Sequence, residues 1–447
     1  MTSIWEFIIS PIHRGPSLGS MLMCMSTAWV GCFAFISKRS LLGEALSHAS
    51  YPGIVIIALF TSVFFKGSDF STHIDIWVQI GGAISAGIAI LCINYLQHQL
   101  KIKEDAALCF ILTAFFAVSI VLISYLQLTH TSLYREIQAY LYGQSATMND
   151  LHILFYAIQC LFFIVLIALF YKNIQLVLFD REHAKSLGVR IKYIDSLIAA
   201  LLIFSVVSGM RSVGLILISS MLIAPPVAAR KLTQSLKKML IIAGLFGALS
   251  GLLGSYLSYQ LSIWIFKNYH TKISFPTGPS IVMVITTICF LVLLLSPREG
   301  FLVKIIRMYI FRSKCIKENL LKFLWKKTGG KTGLNFKNLY TSQPQNRFYL
   351  RGILALLSNE GCIYKSATTQ TFHLTSYGIK RAAYIVRLHR LWELYLVNYL
   401  DIGAERVHKS AEEIEHILTP EIEEKLTEIL HNPGEDPHHQ PIPKKEI

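Results

Sequence analysis

The sequence is short of charge. Of its 447 residues only 15% are Asp, Glu, Lys or Arg, while 53% are hydrophobic. Soluble globular chains carry roughly 25% charged residues, so a wholly soluble protein is excluded. Paired cysteines are missing too. Cys24, Cys32, Cys92, Cys109, Cys160, Cys289, Cys315 and Cys362 stand singly, mostly inside apolar runs, with no CxxC pair. Neither a disulfide framework nor a cysteine zinc site is expected, and these thiols read as small buried hydrophobes. No phosphate loop of the G-x4-GK[ST] type occurs, which excludes a P-loop hydrolase in this chain. No small-residue cleavage site follows the apolar run near residue 20, so that run is expected to be a membrane span and not a cleaved signal peptide.

What charge there is lies unevenly. Residues 1–296 hold 19 Lys/Arg and 11 Asp/Glu, whereas residues 297–447 hold 23 and 16 in half the length. The first part reads as membrane-embedded and the second as soluble, and 447 residues leave room for two or three domains. A bilayer core takes about 20 apolar helical residues. Nine spans are predicted, near 17–36, 51–65, 75–96, 106–127, 151–171, 194–210, 213–229, 239–262 and 279–296. A shorter, partly apolar stretch at 134–143 reads as an interfacial or re-entrant element. With the N-terminus outside, the inside loops gather fourteen Lys/Arg, from Lys38 to Arg298. The outside loops between spans hold five: Lys66, Arg135, Arg211, Lys267 and Lys272. The positive-inside rule therefore delivers residue 297 onward to the cytosol. Gly81-Gly82-x3-Ala86-Gly87 and Gly244-x2-Gly247-x3-Gly251-x2-Gly254 place small residues at helical spacing, as close helix packing in lipid needs.

Glu44 and His48 are four residues apart, one turn on a single helix face. Such a pair can ligate Mn, Fe or Zn, and ionisable groups at membrane depth usually line a pathway. Alternatively, the pair marks an interfacial helix start where neither group is buried. The string Glu44-Ala45-Leu46-Ser47-His48-Ala49 with Pro52-Gly53 resembles the signature of the manganese/zinc/iron ABC-transporter permeases. The resemblance runs through residues 15–298. It takes in Phe179-Asp180-Arg181-Glu182-His183-Ala184, Val213 to Leu217, and Leu222-Ile223-Ala224-Pro225-Pro226-Val227-Ala228-Ala229-Arg230. It implies that Glu44 and His48 coordinate the translocating ion, with Glu where the family often has Asp. It also implies that the basic connection at Arg230 and Lys231 docks on a separate cytosolic ATPase. An extracytoplasmic metal-binding protein and a second permease subunit, identical or homologous, are the further partners implied.

The soluble part splits by charge. Residues 297–400 carry 18 Lys/Arg against 4 Asp/Glu, and residues 401–447 carry 5 against 12. That is the balance of a polyanion-binding module next to a cation-binding one, or of a solvated basic face beside an acidic tail. Residues 298–317 read as a basic linker or an interfacial helix held by anionic lipid. Helices at 318–327, 335–341 and 345–358, then strands at 362–365 and 370–374, spell a winged helix-turn-helix. Arg347 and Arg351 share the polar face of its third helix, and Gly361 ends that helix. Such a module reads DNA or serves only as a protein contact.

Beyond it, His389 and Glu393 are one turn apart, and His408, Glu412, Glu415 and His416 fall on one helical stripe. These suit Mn or Fe(II), or they are surface salt-bridge patterning. From about 318 to Pro441-Ile442-Pro443 the order resembles the iron- and manganese-dependent repressors of the diphtheria-toxin-repressor type. That resemblance implies one metal site from His389, Glu393 and His408, a second drawing on Glu412, Glu415 and His416, and a dimer that binds promoter DNA. Two positions depart from it. The first-helix ligand falls near Asn319, and a second acidic ligand of manganese sensors falls on Lys322, leaving the second site incomplete or completed by water. No stretch resembles the SH3-like third domain of some relatives.

The expected fold class is thus an all-α polytopic membrane domain of about nine helices, followed by a cytosolic winged helix-turn-helix and an α-helical metal-binding and dimerisation domain. The expected boundaries are 1–297 permease, 298–317 linker, 318–382 winged helix and 383–447 metal-binding domain. The cargo and cofactor would be a divalent transition metal, Fe2+ or Mn2+ foremost and Zn2+ next. The C-terminal part would repress uptake genes, after proteolytic release within 298–330, or would gate transport without touching DNA. The location implied is the bacterial inner membrane.

Overall fold

The computed structural model describes residues 3–64, 70–270, 274–297, 299–342, 346–400 and 414–444. The chain forms two compact units, Met1–Val303 and Lys304–Ile447. The first is helical: α1 (Ile4–Ile9), α2 (Ser20–Ile36), α3 (Ser40–Phe64), α4 (Phe70–His98), α5 (Glu104–Thr129), α6 (Thr131–Tyr142), α7 (Asp150–Phe179), α8 (Arg181–Ser186), α9 (Ile191–Val213), α10 (Leu215–Leu232), α11 (Leu236–Tyr269) and α12 (Thr277–Leu295). Among the described residues nine helices are long and apolar enough to cross a bilayer, one for each predicted span. The stretch foreseen at 134–143 is α6, whose Leu133, Ile137 and Tyr140 are buried.

The second span starts about ten residues earlier than its hydropathy suggests. Glu44, Ser47, His48 and Ser50 dilute the apolar signal, yet Ala45, Leu46 and Ala49 between them are fully buried and the helix runs unbroken from Ser40. Pro52 lies inside it. Lacking an N–H, Pro52 gives no helical hydrogen bond to the carbonyl of His48, four residues back.

Small residues set the helix spacing, as the sequence pattern suggests. A Cβ on Gly247 would stand 2.5 Å from the Cys24 carbonyl oxygen, and one on Gly251 2.5 Å from that of Ser20, so α11 lies backbone to backbone on α2. Gly53 of α3 meets Gly81 of α4 in the same way, 2.1 Å from its carbonyl oxygen. Only glycine permits such approaches. Polar side chains in the spans mostly bond to backbone carbonyls: Ser26 and Thr27 to Met23 (2.8 and 2.9 Å), Ser85 to Ala49 (2.6 Å), Tyr156 to Ser208 (2.9 Å). Lipid cannot satisfy those groups, so the protein does. Four of the eight cysteines are buried as expected, Cys24, Cys32, Cys160 and Cys362; Cys109 is exposed on α5, and the other three are half-buried.

In the second unit α13 (Phe301–Thr328) is a single helix, so the stretch expected as linker or interfacial helix is helical from Phe301 on. Then come β1 (Leu334–Asn335), α14 (Phe336–Ser342), α15 (Arg347–Asn359), β2 (Ile363–Lys365) and β3 (Thr371–Leu374). The strands form an antiparallel sheet in the order β1-β3-β2, with Ile363 opposite Leu374 and Leu334 opposite Phe372. The two-residue β1 is too short to leave a periodic trace in the sequence. Leu350, Ile353, Leu354 and Leu357 of α15 fall at i, i+3, i+4 and i+7 and pack on Leu320, Leu321 and Leu324 of α13. Gly361, at φ +69°, closes α15, a left-handed position that favours glycine.

α16 (Ser376–Leu400) passes from the sheet into the segment expected to bind metal without a break, and α17 (Pro420–Ile429) follows. Arg390 of α16 holds the closing segment by hydrogen bonds to Gln440 (2.7 Å) and the Pro441 carbonyl, beside Asp436.

Candidate metal sites

Glu44 and His48 sit one turn apart well inside α3, each half-buried among fully buried neighbours. The imidazole meets Phe116 of α5 edge-on, ring centroids 4.8 Å apart. Among the described residues its Nδ1 is buried with no hydrogen-bond partner. The hydroxyl of Tyr51, three residues further along, is likewise buried and unpartnered. Tyr51 escapes sequence reasoning because a tyrosine in an apolar run reads as packing. Orphaned polar atoms at membrane depth cost free energy, and a borderline divalent cation is one species an orphaned imidazole nitrogen can hold.

At the end of α10 the Arg230 guanidinium donates to the Gln234 carbonyl (2.9 Å), and Lys231 pairs with Glu299 (2.6 Å). Ser296 donates to the carbonyl of Lys231 (2.8 Å). Both basic residues are therefore anchored at the short connection to α11.

The second unit buries a dense set of ionisable groups. His389 of α16 is held on both nitrogens: Nε2 lies 3.0 Å from Glu393 Oε1 and Nδ1 2.5 Å from Glu415 Oε2. Glu415 Oε1 takes the ammonium of Lys322 at 2.6 Å. His416 Nδ1 is 2.6 Å from Glu318 Oε2, while its Nε2 is buried, has no hydrogen-bond partner among the described residues, and lies 3.7 Å from that same Glu415 oxygen. Burial opposes charge on His389, but the carboxylates of Glu393 and Glu415 prevail and raise its pKa above the ordinary imidazole value. Burial also opposes charge on Glu415, but His389 and Lys322 prevail and lower its pKa below the usual carboxyl range.

Of the predicted ligands, His389, Glu393, Glu415 and His416 thus come together; His408 and Glu412 lie outside the described residues. The residue that meets His416 is the neighbour of Asn319, the position sought for a first-helix ligand. It is Glu318, one turn before Lys322 on α13, that reaches His416. A Glu and a Lys at i, i+4 are common on helix surfaces, so their spacing carries little signal. Among the described residues no three His, Cys, Asp or Glu side chains are arranged to hold an ion.

Arg347 and Arg351 are exposed on α15, opposite its buried leucines. Their guanidinium groups lie over Tyr340 and Phe336 of α14, at 5.4 and 5.6 Å from the ring centroids. That stacking stiffens a basic ridge without consuming its charge.

Residues 12–296 match the ABC 3 transport family, and residues 375–444 match the iron dependent repressor, metal binding and dimerisation domain. A probable metal transport system membrane protein of Chlamydia trachomatis serovar D is 36% identical over 437 residues, 96% of this chain and 95% of that protein. The manganese transport system membrane protein MntC of Bacillus subtilis is 27% identical, over 90% and 88% of the two chains. Among solved structures, PsaBC from Streptococcus pneumoniae in complex with Fab superposes with a TM-score of 0.54 at 25% identity, over 67% of this chain and 97% of that one. This multi-pass chain belongs to the ABC 3 transport family, as a metal-transporter permease joined to an iron-dependent-repressor domain.

Proposed function

We propose that the first unit is the membrane pathway of an ATP-driven importer of a divalent transition metal, and that the second senses the same ion and represses uptake genes. The observation that carries this reading is a buried imidazole nitrogen accompanied by carboxylate in each unit: His48 one turn from Glu44, and His389 between Glu393 and Glu415. Glu44 and His48 take the cargo. Arg230 and Lys231 mark where a separate cytosolic ATPase docks. An extracytoplasmic metal-binding protein delivers the ion, and a second permease subunit, of the same or a homologous chain, completes the pathway. The charge asymmetry of the loops supports an N-terminus outside the bacterial inner membrane and a second unit in the cytosol. His and Glu ligands serve iron, manganese and zinc alike.

In the second unit His389 and Glu393, with His408, hold an ion that orders a dimer. Arg347 and Arg351 then contact promoter DNA. The full chain in detergent is expected to bind the uptake promoter only with metal, with an affinity that falls steeply with salt. Replacing Arg347 and Arg351 together by Ala is expected to lower the salt slope by about two phosphate contacts. Metal binding with no DNA affinity in a band-shift titration would assign the unit to gating instead. The fragment reaches its operator after cleavage within 298–330; a C-terminal immunoblot showing only full-length protein in every metal state would remove that step.

The raised pKa of His389 sets a pH dependence. Below its folded value His389 is an imidazolium, and an entering ion must expel that proton. Metal affinity at this site is therefore expected to rise about tenfold per pH unit, levelling off above that value. The metal-free unit shows the opposite sign. The His389 contribution to stability is full below the ordinary imidazole pKa and is lost as pH rises through the folded value. Calorimetric Mn2+ titrations across pH give the slope; a flat affinity would contradict the assignment.

A further inference from the structure

We infer that Lys322 is a built-in cation that fills the second metal position of the C-terminal unit, so that this unit takes one ion and not two. The inference rests on the metal-sensing reading above and concerns residues of this chain only.

Glu415 is completely buried on its side chain, and Lys322 nearly so. A carboxylate in such a place needs a positive partner. The Lys322 ammonium supplies it at 2.6 Å from Oε1, while His389 holds Oε2. An ion shared by Glu415 Oε1 and the buried, unpartnered His416 Nε2 would have to stand about 2.1 Å from that oxygen. The ammonium already occupies that approach, and a divalent ion beside it would meet a like charge. The described residues therefore do not fit a second ion.

The same side chain has a mechanical effect. Lys322 and Glu318, both on α13, hold Glu415 and His416 respectively, at 2.6 Å each. Two protein contacts thus fasten α13 to the segment that carries Glu415 and His416, with no metal required. The ion that remains to be sensed is the one at His389 and Glu393.

The test uses the full chain in detergent, carrying Glu44→Ala and His48→Ala so that the membrane pair adds no ion. Equilibrium dialysis against Mn2+ with elemental analysis is expected to give about one ion per chain with Lys322 intact and about two with Lys322→Glu. Lys322→Met, which deletes the cation and keeps the bulk, is expected to melt lower than its parent without Mn2+ and to show the larger rise in Tm when Mn2+ is added. Two ions with Lys322 intact overturn the inference, as does one ion on a folded Lys322→Glu chain. If Lys322→Glu does not fold, an equal Tm rise for Lys322→Met and its parent overturns it. No Mn2+ on any form removes the metal-sensing reading, and the inference with it.

Discussion

Replacing His48 by alanine is expected to cut metal uptake on the order of 100-fold or more, with the protein still folded in the membrane. Losing even an outer-shell partner costs a metal site about 10–100-fold, and on the proposed reading His48 offers the ion a ring nitrogen with no hydrogen-bond partner among the described residues. Glu44→Gln is expected to weaken uptake strongly too, since it keeps the shape and removes the charge. Ser47→Ala serves as the control. Ser47 is buried between them on the same helix, but its hydroxyl bonds only within α3, to the Glu44 carbonyl at 2.8 Å. Uptake of labelled Mn2+ by cells lacking other importers measures all three; near-normal uptake by the His48 variant would take the ion path away from α3.

Arg387→Ala is expected to destabilise the C-terminal unit by about 3–5 kcal/mol. Arg387 lies 2.9 Å from Glu423 and donates to the Pro443 carbonyl (3.0 Å) and the Thr427 hydroxyl (3.2 Å). Glu423 is 1% exposed, so truncating the arginine strands a buried carboxylate and releases the closing segment together. A fall in Tm of about 10 °C or more follows for a unit of this size. Exchanging both partners for apolar residues, Arg387→Met with Glu423→Leu, is expected to recover much of the loss, because no uncompensated charge then remains. Differential scanning calorimetry of the full chain resolves the two cases. Equal loss in single and double variants would show that packing, and not charge, dominates there.

How much of this was legible in the sequence depends on the range of the interaction. Span count follows from the length of apolar runs, and all nine runs became helices. The faces of α15 and the glycine stripe of α11 follow from the 3.6-residue repeat, and so does the pairing of Glu44 with His48 and of His389 with Glu393. Where hydropathy misled, at the start of α3, the reason is local. Glu44, Ser47, His48 and Ser50 lower the apolar score of the helix that carries them.

The amino-acid sequence by itself determined the two-part organisation, the membrane helices and the family, because these rest on composition, local periodicity and short motifs. Only the tertiary structure decided that Glu318 and not Asn319 reaches His416, that His389 is gripped on both nitrogens, and that Lys322 lies buried against Glu415. The contacts of Glu415 with His389 and Lys322, and of His416 with Glu318, join residues 26 to 98 positions apart. No repeat along the chain encodes which of several side chains on a helix face will meet a distant segment; packing of the whole unit settles it.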